Sequence, residues 1–193
     1  MAFEVGDKVI YPNHGLGVVE TIEERTLLGT TGGFYTLRMA SNDTTVLVPV
    51  DNIEGVGLRL AVGGDEIARL YALLASGRID SHLNWKSRFK DNSDKMRSGS
   101  IYSAIDVLKN LTYLSRTKSL SFREKRMQDR SKHLVISEIA EVSQEASEAV
   151  EERVGRALER CFAAKARAVA RKKNAKASAR PGSRRTSRAA RAS

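Results

Sequence analysis

The chain has 193 residues, of which 41% are hydrophobic, and a formal net charge of +10. This length allows one domain or two small ones, and no apolar run approaches the ~20 residues that a membrane-spanning helix needs. We therefore expect no membrane association. We also expect no signal peptide, and the single cysteine, Cys161, excludes an internal disulfide and fits a reducing cytoplasm.

The charge is unevenly distributed along the chain. Residues 1–57 carry a net charge of −5, residues 58–135 carry +8, residues 136–160 carry −4 and residues 161–193 carry +11. An acidic head, a basic middle and a basic tail indicate different partners for different parts of the chain. The acidic head in particular argues against DNA contact by residues 1–57.

The first part of the chain is predicted to be β-structure. The segment DKVIYP alternates Val9 and Tyr11 against Lys8 and Ile10, and NHGLGVVETI, FYTLRMA and TTVLVPV supply three further short strands. Glycine-rich turns separate these strands, and no helix lies between them. Such a pattern is typical of a small, strongly bent antiparallel barrel, which we assign to residues 1–58.

From Gly63 the apolar period changes from two residues to about three and a half, which predicts helices. SFRE has the form of a capping box, with Ser121 as N-cap and Glu124 reaching back, and starts the fourth helix. The other helices are predicted over roughly 65–77, 81–97, 100–117 and 144–162. The fold class is therefore α+β, with a compact bundle of about five short helices in residues 63–162.

The last part, residues 163–193, consists mainly of Ala, Lys, Arg and Ser. It cannot bury enough apolar surface to offset its chain entropy, so we expect a disordered basic tail. Its stretch AAKARAVARKK can form transient helix, especially against an anionic surface. The tail either adds non-specific DNA affinity or serves as a solubility or spacer segment.

The sequence carries no pattern typical of an enzyme. There is no phosphate-binding loop, and the three histidines, His14, His82 and His133, lie far apart without a second cysteine. We therefore expect no catalytic activity, no metal and no cofactor.

The only tryptophan, Trp85, begins a basic stretch, WKSRFK. On a helix, Trp85, Arg88 and Phe89 share one face, while Lys86 and Lys90 share an adjacent one. A flat aromatic flanked by cations suits nucleic acid, because phosphates attract the cations and the apolar ring can unstack a base step. Taken alone, however, the residues favour the alternative of a core tryptophan with solvated charges around it.

A second basic cluster lies at the start of the fourth predicted helix and comprises Arg123, Lys125, Arg126 and Arg130. A helix N-terminus is favourable for phosphate. Cations there oppose the helix dipole, which indicates a role other than helix stability. The alternative is that this cluster is only solvated surface.

Four segments resemble a known family. FEVGDKVIYPNHGLGVVETIEERTLLG and TTVLVPVDNIEGVGLR resemble the RNA-polymerase-interacting domain of CarD-type bacterial transcription regulators, which also heads the transcription-repair coupling ATPase. NWKSRFKDNSDKMRSGS and LSFREKRM continue the resemblance into the helical domain, so that it covers Phe3 to about Phe162. It implies a Tudor/SH3-like barrel that binds the β subunit of bacterial RNA polymerase. It also implies a helical domain that contacts promoter DNA at the upstream edge of the transcription bubble.

The resemblance also implies site residues on the DNA side. It makes Trp85 a wedge in the minor groove, which overturns the core alternative, and it places phosphate contacts at Arg88, Lys90 and Lys125. The two basic clusters add a further lysine and arginine to this interface. The predicted DNA-binding residues are Trp85, Lys86, Arg88, Lys90, Lys125 and Arg126.

On the polymerase side, the resemblance implies an arginine after the second strand and a strand that adds to the polymerase sheet. These match Arg25, with its neighbour Thr26, and the segment TTVLVP. Proline is tolerated on an edge strand, and strand addition needs a free edge. Leu47 stands where the family often has a basic residue, so apolar contact must replace a salt bridge there. The predicted strand residues are Val46, Leu47, Val48 and Pro49.

We therefore expect a cytoplasmic, nucleoid-associated transcription regulator that acts as a monomer. It stabilises the open promoter complex without strong sequence specificity, because wedge and phosphate contacts carry little base information. One alternative is a nucleoid-associated architectural DNA-binding protein driven by the basic tail. Another is a barrel adaptor with a structural bundle, in which Trp85 is a core residue.

Overall fold

A computed structural model describes residues 3–12, 14–27, 30–40, 43–79 and 85–178; it describes no side chains at positions 27, 30, 85, 86 and 173–178. The described residues form five strands and six helices. The strands are β1 Lys8–Tyr11, β2 Gly15–Leu27, β3 Thr30–Met39, β4 Thr45–Pro49 and β5 Arg59–Leu60. The helices are α1 Ile53–Val56, α2 Ile67–Ala75, α3 Trp85–Arg97, α4 Ile101–Ser115, α5 Phe122–Ser143 and α6 Ser147–Ser178.

The five strands form one antiparallel sheet in the order β4-β3-β2-β1-β5. A bulge between Val19 and Thr21 bends the long β2–β3 hairpin. The sheet is open, which corrects the expectation of a barrel, because in the described residues β4 and β5 do not pair with each other. β5 has only two residues, and both pair with β1.

The sheet and the helices have separate cores. The core of the sheet is a cluster of eight buried side chains from the strands and the residues next to them, which are Phe3, Val9, Val19, Tyr35, Leu37, Met39, Val48 and Leu58. In the helical part, α2, α4, α5 and α6 each direct an apolar stripe inward. Its most deeply buried residues include Leu70, Leu74, Ile105, Leu111, Ile139 and Val150. This spacing matches the apolar period that predicted the helices.

The sheet and the bundle are joined by an ion pair between a half-buried arginine and a buried glutamate. Arg59 Nη1 and Nη2 donate to Glu138 Oε1 and Oε2 at 2.7 and 2.9 Å, and the Glu138 side chain is only 3% exposed. The Val62 N–H donates to the same carboxylate at 3.1 Å. Arg59 Nε also donates to the Gly99 carbonyl at 2.8 Å. Because these bonds hold β5 against α5, the sheet and the helices have a defined relative orientation.

A close approach at Gly99 completes this junction. Gly99 adopts φ +69, and a Cβ added there would lie 2.7 Å from the Cγ atom of Pro12. A side chain at this position would therefore both strain the backbone and clash with the β1–β2 turn. Gly99 ends α3 and lets α4 begin directly beside the sheet.

Two helices are longer than the sequence indicated. α5 has 22 residues and α6 has 32, so neither is short. The predicted disorder after Phe162 is wrong for residues 163–178, which continue α6, while residues 179–193 lie outside the described part. Ala, Lys and Arg are strong helix formers, and the packed first half of α6 supplies the costly helix nucleus. The continuation therefore needs no core of its own.

Candidate nucleic-acid interface and strand edge

The N-terminal ends of α3 and α5 are held together by a buried ion pair. Arg88, one turn into α3, donates from Nε and Nη2 to Glu124 Oε1 at 3.1 and 2.7 Å. Arg88 is 8% exposed and Glu124 is 7% exposed. Since Trp85 is the first residue of α3, this contact places the start of the tryptophan-bearing helix beside the start of α5.

Glu124 also forms the predicted capping box of α5. Its Oε2 accepts from the Ser121 N–H at 3.0 Å and from the Ser121 hydroxyl at 2.9 Å, and its own N–H donates back to Ser121 Oγ. Burial alone would raise the pKa of the Glu124 carboxyl. The hydrogen bonds from Arg88 and Ser121, together with the Arg88 charge, outweigh burial and lower this pKa below its usual value. Glu124 therefore stays ionised and joins the two helices.

The structure does not present Arg88 as an exposed cation, because its guanidinium lies against Glu124. Three other residues predicted to contact DNA, Lys90, Lys125 and Arg126, are exposed. Lys125 and Arg126 stand in the first turns of α5. The side chains of Trp85 and Lys86 lie outside the described part of the structure. Of the predicted DNA-binding residues with described side chains, three are exposed cations. The fourth, Arg88, is buried and holds α3 against α5.

The start of α5 also exposes an aromatic ring that the sequence analysis used only as part of a capping motif. Phe122 is 76% exposed, the largest exposure among the large apolar residues of the described chain. The Arg126 guanidinium lies 6.0 Å from the centre of its ring. A single exposed ring is common on protein surfaces, but this one lies within a basic cluster and is available to a ligand that the cations attract. The signal in the sequence was an aromatic residue directly after an N-cap within a basic cluster.

A groove of about 600 Å³ runs between α3 and α5. Its apolar lining comes from Phe89, Met96 and Met127. Its charged lining consists of the four arginines Arg97, Arg123, Arg126 and Arg130. Apolar walls with a rim of guanidinium groups suit a ligand with anionic groups on an otherwise flat surface, such as the edge of a nucleic-acid strand.

The second candidate surface is the outer edge of β4. The Met39 N–H donates to the Thr44 carbonyl at 2.9 Å. Met39 and Thr44 are therefore a hydrogen-bonded pair, and such pairs occur at every second position of an antiparallel ladder. It follows that the N–H and C=O groups of Val46 and Val48 point towards β3. The backbones of Thr45, Leu47 and Pro49 therefore face the open edge. Pro49 has no backbone N–H, but it lies at a position whose N–H would not be bonded to β3.

The side chains of β4 follow the same alternation. Val48 is 1% exposed in the core of the sheet, whereas Leu47 is 38% exposed. Val46 is half-buried and Pro49 is exposed. Of the predicted strand residues, Leu47 and Pro49 thus offer both side chain and backbone to a partner, while Val46 and Val48 hold the strand in place.

Arg25 and Thr26 lie on the arm of the β2–β3 hairpin, beyond the end of β4. Arg25 pairs with Gly32 across the hairpin, while Pro49 pairs with Phe34. From strand spacing and rise, Arg25 lies about 12 Å from Pro49. Its guanidinium contacts Glu23 at 2.9 Å, and the hydrogen bond and charge of Arg25 help lower the pKa of that exposed carboxyl. Arg25 and the open edge can therefore contact one partner together.

Comparison with known proteins assigns both parts of the chain. Residues 3–60 match the family model of the CarD-like/TRCF RID domain, and residues 69–155 match that of the CarD C-terminal domain. A relative from Bacillus subtilis (strain 168), "Putative transcription factor YdeB", is 32% identical over 137 residues, which cover 71% of this chain and 90% of that protein. The chain belongs to the CarD family.

Two solved structures also match the first part of this CarD-family chain. The 72-residue N-terminal domain of Myxococcus xanthus CarD is 33% identical, and the match covers 30% of this chain and 77% of that one, with a TM-score of 0.28. CdnLNt from Myxococcus xanthus is 35% identical, with coverages of 32% and 87% and the same TM-score of 0.28. With TM-scores this low, neither contributes to the assignment, which stands on the family models and the Bacillus relative.

The CarD family makes this protein a transcription factor that interacts with RNA polymerase. Two further findings concern the described part of the chain. No helix there has the length and apolar composition needed to cross a membrane. No three His, Cys, Asp or Glu side chains there are grouped as metal ligands.

Proposed function

We propose that the protein docks on the β subunit of RNA polymerase through the open edge of β4 and stabilises the open promoter complex through the N-terminal ends of α3 and α5. Trp85 is the wedge that enters the minor groove at the upstream edge of the bubble. The observation that carries this proposal is the Arg88–Glu124 ion pair. It sets the start of the tryptophan-bearing helix beside an exposed phenyl ring and exposed cations.

The residues at the start of α3 and α5 have different roles in DNA binding. Lys90, Lys125 and Arg126 are exposed and bind phosphates, which releases condensed counterions from the duplex. Arg88 acts through Glu124, because its charge is already paired in a buried site. Phe122 offers a second apolar surface at the same helix ends, suited to an unstacked base. None of these contacts reads a base edge, so the protein acts without strong sequence specificity.

The polymerase contact is a strand addition. The outward N–H groups of Thr45 and Leu47 and the outward carbonyls of the same edge are available to pair with a strand of the polymerase. Leu47 adds apolar contact, and Arg25 lies close enough to bind an acidic group on the same surface. The sheet is acidic overall, which suits a protein partner better than DNA.

Docking and wedging act together to stabilise the open complex. Attachment to polymerase keeps the helical part beside the promoter at high effective concentration, so its own affinity for DNA can be weak. The Arg59–Glu138 pair transmits this placement from the sheet to the helices. Because the wedge binds an opened junction better than intact duplex, it shifts the equilibrium towards the open complex. A preference of about 1.4 kcal/mol changes the ratio tenfold.

The test is the lifetime of open promoter complexes formed by a bacterial RNA polymerase, with and without the protein. Complexes are challenged with a DNA competitor, and the surviving fraction is followed over time. We expect the protein to slow the loss of open complexes. An unchanged lifetime together with bending of free duplex DNA would instead support an architectural DNA-binding protein.

A further inference from the structure

The second half of α6 forms a basic extension of the bundle, which we define as residues 163–178 and call the α6 extension. Among its described side chains, Arg167, Arg171 and Lys172 are exposed, and Lys165 is half-buried. The sequence has no acidic residue after position 160, where the net charge is +11. The extension also lies beyond residue 155, at which the family match ends.

The extension is fixed to the segment that leads to Trp85. Lys165 Nζ donates to the Ile79 carbonyl at 2.6 Å, and Cys161 Sγ donates to the Ser76 carbonyl at 2.8 Å. Gly77 lets α6 approach closely, since a Cβ there would lie 3.1 Å from the Cβ of Ala164. Ile79 is six residues before Trp85, a span of at most about 21 Å. The start of the basic helix is therefore anchored to a residue that lies within about 21 Å of Trp85 along the chain.

The charges of the extension are arranged differently from those of the first half of α6. Arg156 and Arg160 are one helical turn apart in an acidic segment, and Arg156 contacts Glu152 at 3.6 Å. Arg167 and Arg171 repeat the same spacing on the same side of the helix, three turns later. Within the described residues neither of these two has an acidic partner. The first half of α6 is thus balanced in charge, and the extension is not.

We propose that the α6 extension is a second DNA-binding element, which lies along the phosphates of duplex DNA next to the site of Trp85. This inference rests on the proposed function only in that the bound duplex is the promoter. The composition of the described part of the extension favours DNA over a lipid surface as its partner. A helix that lies in a membrane interface needs a broad apolar face, and Val169 is the only large apolar side chain that the extension exposes in its described part.

The test is the salt dependence of binding by the full chain to a fluorescein-labelled duplex of random sequence, measured by anisotropy without polymerase. The variant R167Q/R171Q removes two charges from the extension while keeping good helix formers. Each lost phosphate contact reduces the slope of log K against log salt by about 0.9, so we expect a slope smaller by about 1.8. The matched control R156Q/R160Q is expected to keep the wild-type slope.

Two further variants make the outcome decisive. R167K/R171K retains both charges and is expected to retain the slope, which excludes a merely structural effect. Equal slopes for wild type and R167Q/R171Q would overturn the inference. The extension would then either bind an acidic protein or remain exposed to solvent. Trp85→Ala is expected to leave this slope unchanged while it shortens the open-complex lifetime. Failure of the extension and failure of the wedge therefore give different results.

Discussion

Replacement of Leu47 by proline is expected to reduce the affinity of the protein for RNA polymerase at least about a hundredfold, or about 2.7 kcal/mol. The Leu47 N–H faces the open edge of β4, so proline removes the donor that an added strand would use. Its ring also occupies the space into which that strand must come. The pairing of β4 with β3 is unaffected, because Leu47 and Thr36 form a pair without hydrogen bonds. Binding to purified polymerase by fluorescence anisotropy measures the effect.

The matched control is Leu47→Ala, which shortens the half-exposed side chain and keeps the N–H. A loss of about threefold is expected from the smaller apolar contact. Thermal unfolding should give similar midpoints for both variants, since position 47 does not support the core. If Leu47→Pro binds polymerase as tightly as the wild type, no strand pairs at this edge.

Replacement of Trp85 by alanine is expected to abolish most of the increase in open-complex lifetime that the wild-type protein produces. Contact of an aromatic ring with a base contributes about 1–3 kcal/mol, which corresponds to a loss of about fivefold to about 150-fold. The variant should still bind polymerase normally, because the docking edge belongs to the sheet. The competitor-challenge assay measures the lifetime, and anisotropy measures the docking.

Trp85→Phe tests whether the ring itself is responsible. Phenylalanine keeps a flat apolar ring of smaller area, so it should retain part of the lifetime increase. If alanine and phenylalanine both behave like the wild type, the stabilising contact lies elsewhere on the helix ends, with Phe122 the next residue to change. Loss of polymerase binding by Trp85→Ala would mean that the residue supports the fold.

Features that depend on neighbouring residues could be predicted from the sequence. The capping box of Ser121 and Glu124 is present as expected, because all its partners lie within one helical turn. Gly99 ends α3 with a positive φ. The alternation of β4 likewise follows from the period of two residues in TTVLVP, and the edge position of the strand agrees with its proline.

Features that depend on distant residues could not be predicted. Nothing in the sequence pairs Arg88 with Glu124, 36 positions away, or Arg59 with Glu138, 79 positions away. Arg88 was therefore assigned to phosphate. The alternation placed Ile10 on the same face of β1 as Lys8, but Ile10 is 4% exposed, because that face lies against the helical part. Pattern analysis of one strand cannot detect a second layer that covers it.

The first half of the tail, residues 163–178, was mispredicted for a different reason. The expectation of disorder weighed only apolar burial against chain entropy. A helix that is already nucleated by packing extends at little cost through residues such as Ala, Lys and Arg. Residues 163–178 have this composition and directly follow the packed part of α6. The sequence contained the information in its stretch AAKARAVARKK, which was read as transient helix.

The fluorescence of Trp85 offers the most direct test of the wedge, because it is the only tryptophan in the chain. The protein is titrated with a forked duplex that mimics the upstream edge of the bubble, and with a fully paired duplex of the same sequence. If the indole inserts at opened DNA, its emission is accessible to acrylamide in the free protein. On binding DNA, stacking against a base lowers the emission intensity and protects the indole from acrylamide. Both effects are larger with the fork than with the paired duplex. An emission that is already blue-shifted and shielded in the free protein, and that neither DNA changes, would contradict the wedge and place Trp85 in the core.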